Sequence, residues 1–135
     1  MSGTLEVGTE LPPVETGPIT RAMLALFAGA SGDHNPIHID TDVARAAGFD
    51  DVFAHGMVPM GLLGRVLVGW FGPERLRTFG GRFRRITPVH ARPLCRGRVE
   101  EIVEVDGERR ARLALWMTID DGDPVITGTA EVALA

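Results

Sequence analysis

The sequence predicts an α+β fold in which a curled antiparallel sheet wraps one long, enclosed helix. Three observations predict it. Residues Gly56 to Phe71 carry apolar side chains on every side of a helix, so that helix must be covered. Beyond Gly72-Pro73 the pattern switches to four strand-like runs, with alternation clearest at Ala111, Leu113, Leu115, Met117 and Ile119. Turn signals separate the last three runs: Asp106-Gly107 reads as a hairpin, and Asp121-Gly122-Asp123-Pro124 as a turn. A chain of 135 residues suits one core, so residues 1–135 are expected to form a single domain.

Taken in order, Thr4 to Gly17 carry Gly8, Pro12, Pro13 and Gly17 and read as an irregular lead-in with at most a short edge strand. Thr20 is an N-cap for a first helix, with Met23, Leu26, Phe27 and Ala30 at helical spacing up to Gly32. Pro36 forbids a continuous helix through Asp33-His34-Asn35-Pro36-Ile37-His38, which places that polar stretch on a loop. Asp40 or Thr41 caps a short second helix over Asp42 to Ala47, ended by a left-handed Gly48. Phe49 to His55 is a connector. The enclosed helix starts near Gly56, with Pro59 in its first turn, where a missing amide hydrogen costs nothing. Gly61, Gly64 and Gly69 lie inside it and are expected to permit close packing. The strands are expected over Arg77 to Ile86, Leu94 to Val105, Arg109 to Asp120 and Val125 to Leu134.

Composition excludes several kinds of chemistry. All fourteen cationic residues are arginine, and lysine and tyrosine are absent. A Schiff base, a phosphate-loop lysine and a tyrosine general acid are therefore ruled out. The net charge of −4 argues against a nucleic-acid binder. No apolar run is long enough to span a membrane, and Met1 to Pro13 lacks a secretory pattern, so a cytoplasmic location is expected. Cys95 stands alone and reads as a small buried hydrophobe. The run Arg82, Arg84, Arg85, Arg92, Arg96 and Arg98 has two readings: a solvated strand face, or attraction of phosphates on coenzyme A or an acyl-carrier arm.

The residues that can carry chemistry are concentrated in the polar loop. Asp33 and His38, held by a proline-fixed turn, can hold a water molecule and move protons in both directions. The alternative is ordinary turn chemistry, with Asp33 capping and His38 bonded to backbone. A metal site built on His34 and His38 fails, because Pro36 breaks the helix that would align them. The Gly56 amide opens the enclosed helix and is either an oxyanion donor or a plain N-cap. His55 lines the same cleft or caps that helix.

These residues also form a recognisable pattern. The run Phe27 to His38, containing Gly-Asp-His-Asn-Pro-Ile-His, then Ala54-His55-Gly56-Met57, Arg82-Phe83-Arg84 and Pro88-Val89, resembles the MaoC-like (R)-specific enoyl thioester hydratases and dehydratases. The likeness covers nearly the whole chain. It implies the hot-dog fold, a sheet around one helix, and reversible hydration of a trans-2-enoyl thioester without a metal or redox cofactor. It implies Asp33 and His38 as the catalytic pair, Gly56 as oxyanion donor, and Asn35 orienting the loop or the water. It implies an acyl-CoA or acyl-carrier-protein substrate and either a homodimer or a heterodimer with a related hot-dog subunit, with no nucleic acid or membrane partner. Some relatives carry a serine where this chain has Gly64, which suggests a pocket that is roomier or one hydrogen bond poorer. A hot-dog thioesterase and a subunit active only beside a sister chain are the competing readings.

Overall fold

The computed structural model describes residues 4–135. Helix α1 spans Arg21–Ser31. Thr20 caps it, its hydroxyl accepting from the Met23 N–H at 3.0 Å, and Gly32 ends it with a φ of 79°. Its buried line is Leu24 and Ala28, with Phe27 half-buried beside them. Leu26, expected on the core side, is 74% exposed because it points about 200° around the helix from Leu24. Helix α2, Thr41–Ala46, is capped by the Asp40 carboxylate. Arg21 then draws the start of α1, Thr41 and Asp51 together through an ion pair and two further hydrogen bonds, and that pairing holds the Asp51 carboxyl far below the usual range.

Helix α3, Met57–Phe71, buries Val58, Leu62, Leu63, Val66, Leu67 and Trp70 against the sheet. The expectation of complete enclosure needs correction. Met57, Gly61, Arg65 and Gly69 recur every four residues and form an exposed stripe, so the helix is covered everywhere except along that line. Of the three helix glycines, only Gly64 meets a neighbour; beside Gly61 and Gly69 there is open space.

The strands are β1 (Val14–Glu15), β2 (Leu76–Phe83), β3 (Leu94–Val105), β4 (Glu108–Thr118) and β5 (Ile126–Ala133), ordered β1-β3-β4-β5-β2 and antiparallel throughout. β4 shows the expected alternation: Ala111, Leu113, Leu115 and Met117 face the core, whereas Arg110 and Arg112 face outward to Glu131, with Glu101 and Glu108 extending the ladder. β2 stops three residues short of the expected Ile86. The amides of Arg84 and Arg85 both turn to the Val125 carbonyl and leave the strand ladder there.

This topology puts β2 at a sheet edge, bonded on one side to β5. Gly128 of β5 makes the approach possible, since an added Cβ would stand 2.8 Å from the Gly80 carbonyl oxygen. Gly128→Ala is expected to destabilise the fold by about 1–3 kcal/mol, read as a lowered urea midpoint, because backbone rather than a flexible side chain must yield. Among the described residues no helix is long and apolar enough to cross a membrane.

Candidate active site

The polar loop leaves α1 at Gly32 and is held by its own side chains. The Ser31 hydroxyl accepts from the Asp33 N–H, and the Asp33 carboxylate from the Asn35 N–H. The Asn35 side-chain oxygen accepts from the Ile37 N–H and so caps a 3-10 turn over Pro36–His38. Of the two roles anticipated for Asn35, orienting the loop is the one these contacts support. His38 is buried on that turn, and Asp33 stays exposed beside it.

The other wall comes from the connector before α3. Phe53 bridges to Pro88, while the Ala54 N–H donates to the Thr87 carbonyl and the Val89 N–H to that of Val52. The Phe53 carbonyl faces His38 Nδ1 at 2.8 Å. A carbonyl can only accept, so the neutral imidazole carries its proton on Nδ1 and keeps Nε2 as an acceptor. The fold thereby fixes the tautomer through a backbone atom.

His55 is 2% exposed and, like Asp33 and Asn35, lies outside the cavity lining, and its carbonyl accepts the Val58 N–H at the start of α3. Its Nε2 faces the Asp33 carbonyl at 3.1 Å, and its ring stacks on His38 with centroids 3.9 Å apart at 27°. Phe27 covers another side, and His55 Nδ1 is buried without a partner among the described residues. His55 therefore braces the loop and the His38 ring. Nothing in the sequence signals this stacking, which depends on bringing residues 38 and 55 face to face. His55→Phe keeps an aromatic ring against His38 but removes the donor to Asp33. A kcat loss of about fivefold is expected, with KM within about twofold of wild type, since a lost hydrogen bond is worth roughly 1 kcal/mol. His55→Gln, which retains a donor, should recover part of that loss.

A carboxylate oxygen of Asp33 and ring nitrogens of His38 and His55 lie within 4.8 Å of one another. These donor types suit a divalent cation, but the geometry does not. Two nearly parallel stacked imidazoles keep their in-plane lone pairs in separate planes, so they cannot converge on one ion about 2.1 Å from each nitrogen. Asp33 and His38 make no direct hydrogen bond to each other among the described residues, so one water within reach of both can accept or donate to each.

A cavity of about 390 Å³ opens from His38 and is walled by Phe53, Gly56, Pro59, Phe83 and Ile86 among others. Gly56 precedes α3, and its N–H makes no backbone hydrogen bond among the described residues. The Phe83 ring stands over it, 3.7 Å from where a Cβ would lie. Phe83, which lies in the Arg82-Phe83-Arg84 run, is thereby a further residue of the site. Gly64 does not make the pocket roomier: Cε2 of Phe79 would lie 3.0 Å from an added Cβ, so that ring fills the space. Cys95 is fully buried, its thiol pushed up to about 11 by desolvation, which fits a packing role.

Residues 4–111 match the family described as MaoC like domain. This chain belongs to that family. Nodulation protein N of Rhizobium meliloti is 32% identical over 142 residues, covering 87% of this chain and 88% of that protein. The 3-hydroxyacyl-thioester dehydratase X of Mycobacterium tuberculosis is 46% identical over 46 residues, which is 34% of this chain and only 16% of that protein. The solved structure of the R-hydratase PhaJ1 from Pseudomonas aeruginosa superposes with a TM-score of 0.82 at 29% identity, covering 95% of this chain and 81% of that one. The MaoC-like chain thus has the hot-dog fold that the resemblance implies, an α+β arrangement of the kind its apolar helix and alternating strands lead one to expect.

Proposed function

We propose that this MaoC-like chain is an (R)-specific hydratase/dehydratase interconverting trans-2-enoyl and (R)-3-hydroxyacyl thioesters. The observation that carries the reading is a His38 ring nitrogen within 4.8 Å of an Asp33 carboxylate oxygen, with His38 and Gly56 lining one cavity. In the hydration direction, a water held between Asp33 and His38 gives one proton to His38 Nε2 as its oxygen adds to C3 of the enoyl chain. The Asp33 carboxylate holds the water's second hydrogen and stabilises the imidazolium. Negative charge passes to the thioester oxygen, where the Gly56 N–H at the positive end of α3 receives it. The imidazolium then returns its proton to C2, and atoms and charge balance.

The test is hydration of crotonyl-CoA and longer enoyl-CoA thioesters by the protein alone, followed by loss of conjugated absorbance. Release of free thiol instead would replace the reading with a thioesterase. A second reading, a subunit active only with a sister chain, is favoured by one feature: β2 has no strand partner on its outer edge among the described residues. An edge of this kind can join a second sheet, in a homodimer or with a related subunit. An inert preparation that turns over when mixed with a paralogue would establish that arrangement.

A further inference from the structure

We propose that a groove on β2 and β5, adjoining the catalytic cavity at Arg84, seats the phosphate groups of the thioester carrier; the inference deepens the hydratase reading and rests on it for the identity of the ligand. The arginine run divides sharply in three dimensions. Arg85 is paired with Asp120 at 2.9 Å, Arg92 with Glu15 at 3.0 Å and Arg98 with Glu100 at 2.7 Å. Arg96 lines a depression it shares with Glu15, Asp120 and Asp121. Arg82 and Arg84 have no carboxylate partner among the described residues, and the Arg84 guanidinium donates only to the Thr127 hydroxyl, at 3.3 Å.

Both line a groove of about 440 Å³ whose remaining walls are Gly80, Gly81, Thr127, Gly128 and Thr129. That lining contains two cations, two hydroxyls and no carboxylate. In a chain of net charge −4, two adjacent unneutralised guanidinium groups make a local exception to the prevailing field. At Gly80 an added Cβ would meet nothing within 4 Å, so the backbone there is open to a ligand. Arg84 also lines the catalytic cavity, which joins the groove to the place where the thioester must sit. A larger cavity of about 590 Å³ holds Arg75 and Arg109, but Glu74 shares it and it lies at the Phe71 end of α3, away from Gly56. Guanidinium forks match phosphate oxygens in pairs, and hydroxyls supplement them. The shared chemistry is a phosphate or diphosphate ester on a flexible arm, found in coenzyme A and in a carrier protein's phosphopantetheine.

The experiment compares Arg82→Ala/Arg84→Ala with wild type on crotonyl-CoA, crotonyl-phosphopantetheine and the phosphate-free crotonyl-N-acetylcysteamine. The expected result is a loss in kcat/KM at least about tenfold greater for the CoA thioester than for the phosphate-free one, carried by KM. Persistence of that difference with the phosphopantetheine thioester assigns the groove to the phosphate common to both carriers; its disappearance assigns it to the phosphates peculiar to coenzyme A. Equal losses on all three substrates, or none on the CoA thioester, overturn the proposal. Calorimetric titration with coenzyme A itself separates this from the activity. Tight binding that weakens about tenfold in the double variant upholds the groove even if no hydration is seen, and binding unaffected by the substitutions overturns it even if hydration is rapid. Arg92→Ala, whose side chain is paired outside the groove, serves as the control.

Discussion

Asp33→Asn is expected to lower kcat for enoyl thioester hydration by about 10²–10⁴, with the melting temperature within a few degrees of wild type. The two effects separate because Asp33 is exposed and its carboxylate accepts one local hydrogen bond, from the Asn35 N–H at 3.3 Å, which an amide oxygen can also accept. What the amide cannot do is stabilise an imidazolium beside it. His38→Ala should cost a similar factor in turnover but also some stability. It strips the Phe53 carbonyl of its partner and removes the ring that His55 stacks on. Because the two groups hold one water and pass one proton, their losses should not add: the double variant is expected to be no slower than about threefold below the worse single. Steady-state kinetics at saturating substrate decide this. Turnover in either single variant within a few-fold of wild type would remove the pair from the mechanism.

Much of the local structure around this candidate site was legible in the sequence, and the missing parts have a common cause. Thr20, Gly32, Asp40 and Gly48 act locally, through capping and left-handed backbone, so sequence order suffices to place them. The loop carrying Asp33 and His38 was legible for the same reason, since Pro36 and Asn35 shape it from within. Contacts between distant residues were not legible. The burial of His55, the Phe53 carbonyl that sets the His38 tautomer and the Phe83 ring over Gly56 each require the packed arrangement. The same limit affected α3, where all-round apolarity suggested full cover and one line of the helix stays exposed. Its exposed stripe of Met57, Gly61, Arg65 and Gly69 is visible only once the helix is set against the sheet. Arginine pairing follows that rule too: six arginines alike in sequence become three neutralised, one beside acids and two free of carboxylates.

Gly56→Pro and Gly56→Ala together test whether the amide at the start of α3 stabilises the transition state. Proline is compatible with the backbone there, because Gly56 has a φ of −53° and precedes the helix proper. It removes the N–H and leaves the helix hydrogen bonds in place. Loss of one oxyanion donor costs about 10²–10³ in kcat, and that is the expected result for Gly56→Pro. Alanine keeps the N–H. Its Cβ would rest 3.7 Å from the Phe83 ring, an ordinary contact, so Gly56→Ala should fold normally. Its cost is confined to the approach of substrate to the backbone, and it should appear in KM with kcat reduced less than about tenfold. The contrast between the two variants carries the argument, since both add a Cβ beside Phe83 and only proline deletes the donor. Equal kcat values for alanine and proline would mean that the Gly56 amide is a helix-capping group and that the thioester oxygen is stabilised elsewhere.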